Sequence, residues 1–392
     1  MKDTSRIDFA NTLRGFAAIA VVISHYYGVF WQARAAVGTL LTVPELPIDA
    51  VPTPLYINWI NQIPLINWGC YGVALFFLIS GFVIPFSLYS LNGAGFLVNR
   101  LLRIVPTYVA GFSLTLLAIG AGVHYFDKPW PFELRNILIH YIPGLRDLMG
   151  VPSIDGIIWT LEIEMKFYVL CALFVGWFKR NSIKVFILPL ILFILALWVT
   201  RHLPFLGHIR LPYLDKVAAH YMLSSQYIIF MFIGVFFHYL HQGRLAADKA
   251  ILGVGGLFAC FALHWWSGPY APHMYQMWSY AFALLTFSFA FSFQRFFASN
   301  RIFDFFANIS YPLYVVHGVA GYALLRIALD YGLKAWQSLL GVTVVAIACA
   351  WLVHVLVEMP TRRLGKYLGK KVTERVNAPS LPCFKRFSRA NI

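Results

Sequence analysis

A few ionisable side chains of this 392-residue chain stand inside long apolar stretches, where a charge is costly to hold and marks a candidate for chemistry. Arg14 and His25 share the first such stretch, eleven residues apart. At about 100° per residue they project from one helix face, roughly 16 Å apart along the axis. Arg14 reaches toward anionic groups at the near end, while His25 sits deep, where an imidazole can move a proton. Arg100 and Arg103, at spacing i, i+3, put two forked cations on one face of a short amphipathic helix. That pattern is either a phosphate clamp or ordinary positive charge at the inner surface.

The segment Trp159-Thr160-Leu161-Glu162-Ile163-Glu164-Met165-Lys166-Phe167-Tyr168 holds three more charges. Glu162 and Lys166 are i, i+4 in the favourable order and are expected to neutralise each other. Glu164 points about 200° away from Glu162 and has no such partner in its helix. Its carboxylate must face protein or a polar cavity, paired with His25 or with an arginine of another helix. Further on, Ser310 and His317 share a face, and Tyr314 and His317 are i, i+3 neighbours. Arg326 and Asp330 read as a structural pair. His238 and His241 lack a carboxylate or an HExxH pattern, so they read as interfacial residues and no metal site is expected. No Gly-rich phosphate loop or G-x-S-x-G elbow occurs, and Ser80 reads as a small packing residue.

These side chains need a membrane bundle to hold them. The chain is 60% hydrophobic and only 12% charged, against about 25% charge in soluble domains, so most of its surface must face lipid. Hydropathy marks about ten apolar stretches, near 9–31, 68–91, 105–124, 156–178, 183–200, 220–241, 250–267, 276–294, 308–330 and 336–358, each close to bilayer length. The expected fold is therefore an all-α polytopic bundle: a membrane domain over 1–360, then a flexible basic tail over 361–392. Two long connections, 32–67 and 125–155, are rich in Pro, Asn and Trp and suit a lid or an acceptor groove.

The net charge of +15 raises nucleic acid as a partner, but nine of the 31 Lys and Arg lie beyond Met359. A basic tail beside a helix reads as a cytoplasmic anchor at an anionic leaflet. Basic residues favour the N-in, C-in arrangement, with both long connections outside. Ala33-Arg34-Ala35 imitates a signal-cleavage site, but bulky Phe30-Trp31 and Arg14 argue for a retained helix. The five cysteines are odd in number and show no CxxC spacing, so they read as small core residues.

Taken in order, the segments resemble the acyltransferase 3 family of integral membrane proteins, which includes bacterial O-acetyltransferases of surface polysaccharides. The resemblance runs from Arg6 to Pro360. It is carried by Leu13-Arg14-Gly15 with His25, Phe76-Phe77-Leu78-Ile79-Ser80-Gly81-Phe82, Arg100-x-x-Arg103 with Pro106, and Trp159-Thr160-Leu161 with Glu164 and Phe167-Tyr168. Ser310-Tyr311-Pro312-Leu313-Tyr314 with His317, and Glu358-Met359-Pro360, complete it. It implies ten core helices in a bacterial inner membrane and an acyl-CoA co-substrate, most simply acetyl-CoA, bound from the cytoplasm. It further implies an acceptor hydroxyl on a glycan at the other face, an essential His25 and Arg14, and Arg100 and Arg103 near the donor. Many relatives have two adjacent carboxylates where this chain has Glu164-Met165, which leaves the role of Glu162 open.

The residue types suit acyl transfer from a thioester to a sugar hydroxyl. His25 would take the hydroxyl proton, with Glu164 orienting the imidazole or offsetting its charge. Arg14, Arg100 and Arg103 would hold donor phosphates, with Trp159, Tyr168, Ser310, Tyr311, Tyr314 and His317 in support. No cofactor is expected to stay bound. The rival reading is a proton-coupled secondary transporter whose buried His, Glu and Arg relay protons. The arginine pair and the lack of internal repeats count against it.

Overall fold

The computed structural model describes residues 7–62, 66–206, 214–268, 271–298 and 300–377. Their regular secondary structure is all helical, with no strand among them. The long helices are α1 (Asp8–Gln32), α2 (Trp68–Ser90), α3 (Gly93–Tyr125), α4 (Ile158–Leu173), α5 (Ile187–Leu206), α6 (Leu214–His241), α7 (Ala247–Ser267), α8 (Met277–Ser292), α9 (Ser310–Asp330), α10 (Ala335–Val353) and α11 (Met359–Asn377).

Among the described residues, eight helices are long and apolar enough to cross a membrane, where the sequence suggested about ten. The other two expected spans fall on α4 and α8, which are helical but only 16 residues each. At 1.5 Å per residue they reach about 24 Å, short of a hydrocarbon core of about 30 Å. Within the bundle, α6, α9 and α2 have 89%, 78% and 72% of their most apolar stretch buried, against 22% for the α5 segment and 28% for α7. Apolar helices left uncovered on one side are lipid-facing, so α2, α6 and α9 form the centre. The crossing of α2 with α6 is tight. A Cβ on Gly81 would stand 1.9 Å from the Met231 carbonyl oxygen, and one on Gly234 2.2 Å from that of Leu78.

The tail departs from expectation. The chain stays helical past Pro360 as α11, which packs on the first turns of α3. Small residues permit this: a Cβ on Gly369 would come 2.6 Å from the Gly95 carbonyl oxygen and one on Gly365 3.0 Å from that of Asn99. Thr373 Oγ1 accepts from the Asn92 amide at 3.2 Å. A basic helix with glycines on one face finds a partner, so 361–377 is not a loose tail. Lys2, Arg6 and residues 378–392 lie outside the described residues.

Both long connections are fastened by buried charge. Arg34 donates to the carbonyls of Leu46 and Pro47 at 3.3 Å, to that of Val51 at 2.8 Å and to Thr53 Oγ1 at 2.9 Å. In the second connection, Arg146 Nε donates to Glu162 Oε1 at 3.0 Å and Nη2 to Oε2, while Lys166 pairs with Asp147. His220 also meets Asp147. This corrects the expected Glu162–Lys166 pair: the connection supplies an opposite charge to each, and Glu162 takes the two-pronged arginine, which an intrahelical lysine cannot match. Glu162, 2% exposed, therefore fastens the connection to α4. Glu162→Gln leaves Arg146 half-matched in a buried site, at a cost of about 3–5 kcal/mol. Thermal unfolding in detergent should show the loss, and an unchanged midpoint would mean the network carries no stability.

The expected pair of Arg326 and Asp330 is present, Nη1 donating to Oδ1 at 3.0 Å. His238 is not interfacial: it is fully buried, with Nδ1 3.0 Å from the Phe82 carbonyl oxygen and Nε2 3.0 Å from the Tyr89 hydroxyl.

Candidate active site

A cavity of about 980 Å³, open mouth included, runs between α1, α2, α3, α4 and α9. Most of its wall is apolar, so the polar groups that remain decide its chemistry. Arg14 enters from α1, Ser80 from α2, and Arg100 and Arg103 from α3. Thr160, Glu164 and Tyr168 enter from α4, and Ser310, Tyr311 and Tyr314 from α9.

Arg100 is 7% exposed. Its Nη2 donates to Ser87 Oγ at 2.5 Å, and the guanidinium carbon lies 5.4 Å from the Phe96 ring centre and 5.6 Å from that of Tyr168. Aromatic faces hold a planar cation without consuming its donors. Its Nε is buried and has no hydrogen-bond partner among the described residues. Arg103 is matched differently: its Nε lies 3.7 Å from Glu358 Oε1, and Glu358 Oε2 lies 2.7 Å from His354 Nδ1. A π turn over His354–Glu358 breaks the long helix there.

Glu164 Oε1 accepts from Ser80 Oγ at 2.7 Å and from the Tyr168 hydroxyl at 2.5 Å. The carboxylate is thus a cavity group held by two hydroxyls. Of its expected partners, His25 is not paired with it, while the arginines Arg14 and Arg100 of other helices lie within its electrostatic reach. Ser80 is more than packing, because its hydroxyl both lines the cavity and donates to that carboxylate. At the inner end, the Tyr314 hydroxyl and Thr160 Oγ1 are 2.6 Å apart. Tyr311 donates to the Ile104 carbonyl at 2.9 Å, and Ser310 to that of Ala307 at 2.8 Å. Trp159 stays outside, its indole 5.4 Å from the Tyr227 ring.

His25 and His317 form a second cluster beyond Tyr314. Ring centres lie 5.7 Å apart for Tyr314 and His317, and 4.7 Å apart for His317 and His25, edge to face. His317 is fully buried, and Nδ1 donates to the Leu313 carbonyl at 2.9 Å. His25 Nδ1 is 2.6 Å from the Tyr322 hydroxyl, with the two rings nearly parallel at 5.6 Å. Tyr322 therefore holds the place expected of Glu164.

The backbone is irregular at both histidines. The first helix widens to π geometry over Ser24–Val29, beginning one residue before His25. Asn61 Nδ2 donates to the Tyr27 carbonyl at 2.7 Å, which ties the first connection to this turn. In α9, Gly318 breaks the helix with ψ −113° directly after His317. Such departures concentrate at functional sites.

Arg14, Arg100, Arg103, Glu164, Tyr168, Ser310, Tyr311 and Tyr314 thus line one cavity, with His25 and His317 together behind it. Ser80, Tyr322 and Asn61 were missed. Only Ser80 carried a signal, as the hydroxyl inside Phe76–Phe82. The i, i+4 spacing of His354 and Glu358 was readable but unused.

Comparison with known proteins identifies the family. Residues 7–355 match the acyltransferase 3 family, described as an acyltransferase domain. The chain is 32% identical over 124 residues to Nodulation protein 10 of Rhizobium leguminosarum bv. viciae. That match covers 28% of this chain and 34% of the relative, about a third of its length. No solved structure matches the chain. With nearly its whole length matched, the chain belongs to the acyltransferase 3 family, and its long helices are apolar enough to cross a membrane several times.

Proposed function

We propose that the protein moves an acetyl group from cytoplasmic acetyl-CoA to a hydroxyl of a carbohydrate or polysaccharide precursor at the bacterial inner membrane. The supporting observation is a cavity with three arginines, Arg14, Arg100 and Arg103, inside an otherwise apolar bundle. Permanent cations in such a place call for an anionic ligand, and forked guanidinia suit phosphate. The termini and the cavity mouth lie on the cytoplasmic side, where the donor is made, and the connections 32–67 and 125–155 lie on the other.

In the reaction the acceptor oxygen bonds to the thioester carbonyl carbon and the carbon–sulfur bond breaks. The hydroxyl proton passes to His25 and then to the departing thiolate, giving free CoA thiol. Tyr322 orients the His25 ring. Glu164 offsets part of the arginine charge and aims the Ser80 and Tyr168 hydroxyls along the cavity. Tyr314 and Thr160 stand where the pantetheine arm would meet the histidines.

Purified protein in nanodiscs, given acetyl-CoA and a membrane carbohydrate extract, should release CoA thiol and label the carbohydrate. Thiol release should fall sharply without the extract. If neither acetyl-CoA nor longer acyl-CoA yields thiol under any acceptor condition, the reading fails.

A further inference from the structure

Helix α11 runs antiparallel along the start of α3, and the contacts form a ladder. Thr373 meets Asn92, Gly369 meets Gly95, Gly365 meets Asn99 and Leu102, and Glu358 meets Arg103. Arg362 lies between the last two rungs, one helical turn after Glu358 and three residues before Gly365. That register sets it at the level of Arg103, within electrostatic reach of both Arg103 and Glu358.

Four guanidinia are therefore drawn together: Arg14, Arg100, Arg103 and Arg362. The carboxylates Glu164 and Glu358 lie within electrostatic reach of them. Exposure rises along the α3 edge of the group, from 7% for Arg100 to 26% for the Arg103 side chain, and Arg362 is open to solvent. A fold that crowds like charges destabilises itself unless an anion binds. The buried Arg100 Nε, without a partner among the described residues, points the same way.

An acyl-CoA carries phosphate at two places, a diphosphate in mid-molecule and a monoester on the 3′ carbon of its ribose. With the pantetheine arm reaching inward, the diphosphate falls beside Arg100 and Arg103, and the 3′-phosphate lies farthest out. We propose that Arg362, with the exposed Lys366 one turn on, forms a subsite for the 3′-phosphate of the donor. The inference rests on the acyl-CoA reading given above. Helix α11 thereby supplies the group that tells CoA from shorter pantetheine thioesters. An anionic lipid headgroup would meet the same chemistry, and the test separates the two.

Binding of acetyl-CoA and of 3′-dephospho-acetyl-CoA is measured on the full-length protein in phosphatidylcholine nanodiscs. The wild type should prefer the phosphorylated form by about tenfold. In Arg362→Ala the ratio should collapse toward one, and Arg362→Lys should keep part of it. Equal binding of the two forms by the wild type, or an undiminished ratio in Arg362→Ala, overturns the subsite and leaves the acyltransferase reading standing. A variant that keeps the ratio but loses association with phosphatidylglycerol assigns Arg362 to lipid and also overturns it. If the wild type binds neither thioester, the acyl-CoA reading itself falls, and the subsite with it.

Discussion

His25→Ala is expected to lower the rate of acyl transfer by about 10²–10⁴-fold, the usual contribution of a positioned proton acceptor. The loss should appear in kcat, with donor affinity nearly unchanged, because His25 is separated from the arginine cavity by Tyr314 and His317. Folding is a separate matter, since the substitution leaves the Tyr322 hydroxyl without its 2.6 Å partner. Thermal unfolding and detergent size exclusion should therefore accompany the rates. Tyr322→Phe, which removes only the hydroxyl, serves as a second variant. Wild-type turnover in a folded His25→Ala protein would take this imidazole out of the reaction.

Arg100→Ala is expected to weaken donor binding by tenfold to a hundredfold. A hydrogen bond to an ionic partner contributes about 1.5–3 kcal/mol, and this guanidinium is desolvated already. Arg103→Ala should cost less, because Glu358 already matches part of that charge at 3.7 Å. Arg100→Lys should not restore affinity. An ammonium lacks the planar fork and cannot lie between the Phe96 and Tyr168 rings in the same way. The measurement is acetyl-CoA titration, with acceptor affinity followed in parallel. Unchanged donor affinity in both alanine variants would leave the two arginines as topology signals alone.

The helical segments were readable because membrane insertion depends on local hydropathy, and each expected stretch falls on a helix. What was not local was not readable. Whether α4 and α8 are long enough to span depends on where the Asp155 turn and the Phe293 bend stop them. The chemical candidates were visible as residue types, since Arg14, Arg100, Arg103 and Glu164 are conspicuous among apolar neighbours. Their partners were not. Tyr322 is one of 21 tyrosines and meets His25 from 297 residues away. Glu162 and Lys166 show the opposite failure. Their spacing was favourable, but a tertiary contact from Arg146 and Asp147 outcompeted it, as buried geometry usually does over helix-surface pairing.

From Ala335 to Val376 the chain is helical over 42 residues, through the π turn at His354–Glu358, a length well beyond the about 30 Å of a hydrocarbon core. With α10 as the span, α11 extends past the hydrocarbon core, and the first turns of α3, itself 33 residues long, accompany it there. The two form a post stiffened by glycine contact. A fluorescent protein fused directly after Asn377 is expected to sit beyond that post at a distance set by helix geometry. Energy transfer from a membrane dye would then read the length of the post directly. Shortening it by whole turns would lower the fusion in steps of about 5.4 Å.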